Sequence, residues 1–88
     1  MASPKPWQDA LVGTHAKFKY EDGRWYWGVI DGFSLALGKI HVCLTDHDRK
    51  WHSIERVAGE EDAWRVVDDE CVAVERVTAD AYLEHLEV

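Results

Sequence analysis

The chain has little of what builds special-purpose sites. Its two cysteines, Cys43 and Cys71, lie far apart with no paired CxxC. That spacing excludes the usual zinc motifs and a disulfide-dense scaffold, and free thiols in a reducing compartment are the expectation, with one long disulfide loop as the alternative. Only two prolines occur, Pro4 and Pro6, both ahead of the first aromatic. No apolar run approaches membrane-spanning length, and the opening MASPKPW has no apolar leader stretch, so an intracellular protein without a membrane partner is expected. There is no glycine-rich phosphate loop and no serine in a nucleophile elbow, and a chain of this size offers no deep cleft, so a non-enzyme without a cofactor is expected. Basic residues are in the minority, 10 Lys/Arg against 17 Asp/Glu, for a net charge of −7.

What is present fits one small folded domain. The 88 residues are 47% hydrophobic, enough for a single modest core. Five tryptophans are a heavy loading, since each buried indole also needs a partner for its N–H. The charge is uneven. Residues 1–54 carry seven Lys/Arg against six Asp/Glu, whereas residues 55–88 carry three Arg against eleven Asp/Glu. Such a balance favours a cationic partner, although an acidic surface also serves simple solubility.

Along the chain, residues 1–12 read as a flexible arm with one helical turn from Trp7 to Val12, ended by Gly13. The period then changes to two. In Ala16-Lys17-Phe18-Lys19-Tyr20 apolar residues alternate with lysines, Glu21-Asp22-Gly23 supplies a turn, and Arg24 to Ile30 returns as an aromatic-rich strand. A third strand over Lys39 to Thr45, a fourth from about Lys50 to Val57, and two short ones at Trp64 to Val67 and Cys71 to Val77 follow, separated by turn residues. Leu35 and Leu37 either extend strands or sit at a loop tip. Thr78 caps a helix whose Ala79, Tyr82, Leu83 and Leu86 keep helical spacing, and this stripe suffices to cover a barrel end. The expected architecture is mainly β: a barrel of five or six short antiparallel strands over residues 13–77, with a C-terminal helix over 78–88 packed on it.

The stretch Tyr20-Glu21-Asp22-Gly23-Arg24-Trp25-Tyr26-Trp27-Gly28-Val29-Ile30 resembles the first hairpin of a Tudor domain, and Val42 to Asp46 with Lys50 to Ile54 are similar in character to its second hairpin. The likeness covers about residues 13–57. It implies an SH3-like barrel that reads methylated lysine or arginine, on a histone tail or another protein, and hence a nuclear setting. It places Tyr20 and Tyr26 at the first two cage positions and Asp46 near the accompanying acid. Leu44 departs from the pattern, standing where many members have Phe or Tyr, and Trp51 is the candidate for the missing wall. Residues 58–88 have no counterpart in the likeness.

The chemistry asks for such residues independently. A methylated ammonium has few N–H groups to donate, so aromatic faces hold it through their quadrupole, at roughly 0.5–2 kcal/mol per contact. Strand alternation sets Tyr26 opposite to its neighbours: with Trp25, Trp27 and Val29 in the core, Tyr26 faces out with Gly28 and Ile30. Phe18 and Tyr20 share a face, and with Tyr20 helping to hold a ligand, Phe18 is assigned to the core and Tyr20 to the rim. Three competitors stand beside this reading. His41, Cys43, His47 and His52 have metal-ligand chemistry but no zinc spacing, so no metal is expected. Lys17, Lys19 and Arg24, interleaved with aromatics, fit RNA or DNA, against the acidic second half. Leu35 and Leu37, or the apolar side of the helix, fit protein interaction or dimerisation.

Overall fold

The computed structural model describes residues 7–59 and 63–86. The proposed arm over residues 1–6 and the acidic residues 60–62 lie outside the described residues. A 3-10 turn, Trp7–Leu11, leads into six strands: β1 (His15–Tyr20), β2 (Trp25–Ser34), β3 (Lys39–Leu44), β4 (Arg49–Arg56), β5 (Trp64–Val66) and β6 (Cys71–Arg76). A helix α1 (Ala79–Leu86) follows. All strand pairs are antiparallel, in the order β5-β4-β3-β2-β1-β6. The curled sheet forms a nearly closed barrel whose seam lies between β5 and β6. The mainly β architecture expected from the sequence is the one observed.

Alternation decides the inside. On β1 every second residue (Ala16, Phe18, Tyr20) is buried, and on β3 Ile40, Val42 and Leu44 are. With Leu11, Ile30, Ile54 and Cys71 they make the core, which Trp7, Tyr26, Phe33, Trp64, Val66 and Val74 flank. Cross-strand partners share a face of the sheet. Phe18 pairs with Tyr26 and Ala16 with Gly28, so Tyr26, Gly28 and Ile30 point inward. This reverses the expected phase of β2. Trp25 and Trp27 stand on the outer face, Trp25 being 39% exposed. Lys17 Nζ lies 5.0 Å from the Trp25 ring centroid and 5.9 Å from that of Trp27, so the lysine sits between the two outward-facing indoles.

At Gly28 the packing against β3 leaves no room for a side chain. A Cβ there would sit 2.9 Å from the Cys43 carbonyl oxygen and 2.9 Å from Leu44 Cδ2. Two residues later a bulge between Ile30 and Gly32 inserts Asp31 and resets the alternation, so that Phe33 faces inward again. The β2–β3 hairpin then runs on to a tip where Leu35 and Leu37 are exposed.

The helix starts at an N-cap, with the Ala81 N–H donating to Thr78 Oγ1 at 3.1 Å. It lies against the outer face. Tyr82 meets the His15 ring at 4.6 Å, and His85 stacks on Trp27 at 4.4 Å. No described residue of the helix is fully buried, and Leu83 and Leu86 stay half exposed. Both cysteines are free thiols. Among the described residues no helix is long and apolar enough to cross a membrane.

Candidate functional site

A pocket of about 310 Å³ opens at the end of the barrel where the β1–β2 and β3–β4 turns meet the loop before β6. It is lined by Tyr20, Tyr26 and Leu44, by the acids Glu21, Asp22, Asp46, Asp48 and Glu70, and by Lys50. Three of the four residues expected at the site, Tyr20, Tyr26 and Asp46, come together here. Trp51 does not. It projects from the outer face of β4, 48% exposed, and tilts against the His41 ring at 4.8 Å. The reason is alternation once more: Lys50 and His52 take the inward positions on either side of it.

Tyr20 is the second correction. It is not a rim residue, for only 7% of it is exposed. Its hydroxyl lies 2.8 Å from Nε2 of His52, which is itself fully buried, and Nδ1 of His52 lies 2.8 Å from Asp68 Oδ2. The carboxylate orients the ring: Nδ1–H donates to Asp68, which leaves Nε2 facing the Tyr20 hydroxyl. Asp68 also accepts from the backbone N–H groups of Ser53, Glu70 and Cys71. Burial works to raise the Asp68 carboxyl, but the Cys71 N–H, the His52 ring and the Glu70 N–H outweigh it and hold it below the usual carboxylate range. Burial above all, then the neighbouring acidic groups of Cys71, Glu70, Asp68 and Asp48, pushes the Tyr20 phenol well above its ordinary value. Tyr20 therefore offers the pocket a ring face and no hydroxyl.

Tyr26 offers both. Its ring tilts at 56° to Tyr20 with centroids 5.3 Å apart, forming a corner. Its hydroxyl donates to Asp22 Oδ2 at 2.5 Å. That bond raises the Tyr26 phenol and lowers the Asp22 carboxyl. Asp22 also accepts the Arg24 N–H at 2.9 Å, closing a turn in which Gly23 takes φ +76°. Across the pocket the β3–β4 turn is held by Asp46 Oδ1 accepting from the Asp48 N–H at 3.0 Å.

Lys50 was not expected at the site. Its ammonium lies 5.2 Å from the Tyr20 ring centroid and donates to Glu70 Oε1 at 2.7 Å. The Glu70 bond leads the causes that raise its pKa, so it stays charged. The sequence signal was local: Lys50, His52 and Ile54 form one face of a strand, and the face that buries Ile54 carries Lys50 to the pocket. Glu70 left no such signal, because it reaches the pocket only through the β1–β6 pairing.

The histidine cluster disperses. His41 pairs with Asp31, His47 sits in the β3–β4 turn at φ +69°, and His52 is internal. Among the described residues no three His, Cys, Asp or Glu side chains gather as metal ligands would. No family model, curated protein or solved structure matches the chain.

Proposed function

We propose that this domain is a non-catalytic binding module that takes a cationic side chain of a partner protein, a lysine or arginine in methylated form, into the corner between Tyr20 and Tyr26. The observation that carries the reading is the position of Lys50. The pocket already stabilises an ammonium ion with an aromatic face and a carboxylate, and four further acids, Glu21, Asp22, Asp46 and Asp48, line the same space. One internal cation against five carboxylates leaves a surplus of negative potential for a second.

The Tudor likeness supports the same assignment, because Tyr20 and Tyr26 fall at its first two cage positions and Asp46 near the accompanying acid. Leu44 lines the pocket where that family has an aromatic, and Trp51 is on the wrong face to replace it. The cage thus has two aromatic walls. At roughly 0.5–2 kcal/mol for each aromatic contact, such a site binds weakly and draws much of its selectivity from the carboxylates. A methylated histone tail and a nuclear location belong to this proposal.

Titration of labelled protein with methylated and unmethylated lysine and arginine peptides tests it. Saturable amide shifts at Tyr20, Tyr26 and Asp46, larger for a methylated form and lost in Tyr26→Ala, are the expected result. The variant should stay folded, since Tyr26 only flanks the core. Absence of shifts at millimolar peptide would refute the reading. A single-stranded oligonucleotide belongs in the same series, because Lys17 stacked on exposed Trp25 is the feature that favours nucleic acid. Shifts confined to Lys17, Lys19 and Trp25 would move the function to the outer face.

A further inference from the structure

The opposite end of the barrel carries a second pocket, of about 270 Å³, lined by Trp7, Ala10, Leu11, Thr14, Arg56 and Arg76. We infer that it is a binding site for a single carboxylate on an aliphatic stem, such as a glutamate side chain, held by Arg56 with Arg76 beside it. The inference does not depend on the function proposed for the acidic end.

Three observations lead there. The first is how Arg56 is held. It is the last residue of β4, and its guanidinium lies over the Trp7 ring at 5.9 Å. A cation–π contact at this distance draws the guanidinium toward the ring while leaving its N–H groups able to donate elsewhere. Arg76, the last residue of β6, is arranged similarly, 5.9 Å over the Trp64 ring, and makes further contacts of its own.

The second is what Arg56 does not have. Lys17, Lys50 and Arg65 are paired with Glu75, Glu70 and Glu55, as expected in a chain with 17 acids and 10 bases. Arg56 makes no ion pair among the described residues, as is also true of Lys19, Arg24, Lys39 and Arg49, but of these five it alone lines this pocket. The Thr14 hydroxyl, on the same pocket wall, likewise has no hydrogen bond there.

The third is the rest of the lining. Leu11 is buried and Ala10 lies beside it, so the pocket has an apolar floor next to its donors. A carboxylate at the tip of a short aliphatic stem satisfies both features: two oxygens for a fork of N–H groups, and methylenes for Leu11 and the Trp7 edge. The net charge selects the same ligand. At −7 the protein repels a polyanion in proportion to that ligand's charge, whereas a lone carboxylate meets the smallest such barrier.

Two sources have this chemistry, a partner's acidic side chain and the chain's own Glu60-Glu61-Asp62, which follow Arg56 closely in sequence. The test separates them. Labelled protein is titrated with a capped peptide holding one glutamate, with its glutamine counterpart, and with inorganic phosphate. The readouts are the Arg56 Nε–Hε and Trp7 indole N–H resonances. The same series is run on an E60Q/E61Q/D62N variant. The glutamate peptide alone should give saturable shifts that weaken with salt, and Arg56→Gln should reduce the affinity about tenfold or more while the amide spectrum stays folded. Response only in the triple variant would support the carboxylate site and identify the chain's own acids as its usual occupant. Silence in both backgrounds, equal response to the glutamine peptide, undiminished binding in Arg56→Gln, or tighter binding of inorganic phosphate would each overturn the assignment.

Discussion

The two ends of this barrel are built on the same strands and carry opposite charge, and the charges have different origins. At the acidic end the carboxylates are fastened into the backbone. Asp22 accepts from the Arg24 N–H, Asp46 from the Asp48 N–H, and Asp68 from Glu70 and Cys71. Short polar side chains that accept from nearby N–H groups are what tight turns need. Much of the negative potential around Tyr20 and Tyr26 is therefore a consequence of turn formation. At the other end Arg56 and Arg76 terminate strands and rest on indoles, and turn formation makes no use of their charge. Folding thus accounts for the acids at the acidic end without any ligand. The position of Lys50 over an aromatic ring is the stronger observation, since no turn needs it.

The largest effect that can test this contrast comes from His52→Ala. It removes a fully buried ring and leaves the Tyr20 hydroxyl and Asp68 without their partner, so stability should fall by on the order of 3 kcal/mol in chemical denaturation. In the folded fraction, amides around Tyr20, Tyr26 and Glu70 should shift while those of Trp7 and Arg56 hold. Equal disturbance at both ends would show that they are one coupled unit.

A middle-sized effect is alkaline. Burial pushes the Cys71 thiol from 9.0 up to about 11. Because the folded value is the higher one, the associated stability is complete below pH 9 and is lost as pH rises through 11. The loss should amount to about 1–3 kcal/mol, read from denaturation midpoints across that window. Cys71→Ala should flatten it, leaving the share that belongs to Tyr20. An unchanged slope would mean that the thiol does not contribute.

The smallest effect separates charge from hydrogen bonding at the acidic end. In Asp46→Asn/Asp48→Asn the turn acceptors survive and the charge goes. Stability should change by less than about 0.5 kcal/mol, while affinity for a cationic peptide falls a few-fold at low salt and the difference fades at high salt. A collapse of the β3–β4 turn would instead show that charge, and not hydrogen bonding, maintains it.

The sequence made the strands legible where a turn and an alternation coincide. Glu21-Asp22-Gly23 between two aromatic runs fixed the first hairpin, and Ile40, Val42 and Leu44 oriented β3. It failed on the phase of β2. Alternation alone permits either face, and the indoles of Trp25 and Trp27 drew the choice toward the core. The hairpin register held the answer: with Lys19 opposite Trp25, a buried Phe18 compels Tyr26 inward. Tyr20 reads as a rim residue only on the supposition that it holds a ligand, since it shares a face with Phe18, and Trp51 becomes a wall of the site only through the Tudor likeness. His52 was obscured for another reason. A buried histidine is tolerable only with both nitrogens satisfied, and its partners, Tyr20 and Asp68, come from distant parts of the chain. Long-range partners leave no local pattern, and Glu70 and Arg76 reach their pockets by the same route.

Four of the five strand pairings join neighbours in sequence, and the fifth, β1 with β6, joins Ala16 to Arg76 and Tyr20 to Cys71. That difference has a kinetic meaning. Bringing together the ends of a segment some fifty residues long costs roughly 2 kcal/mol more loop entropy than closing a hairpin. The meander from β1 to β4 can accordingly assemble from local turns, while the β1–β6 pairing is the late, slow event. Glu70 arrives at Lys50 only with that last strand, so an intermediate halted before closure would already hold Tyr20 beside Tyr26 while Lys50 still lacked its counter-ion.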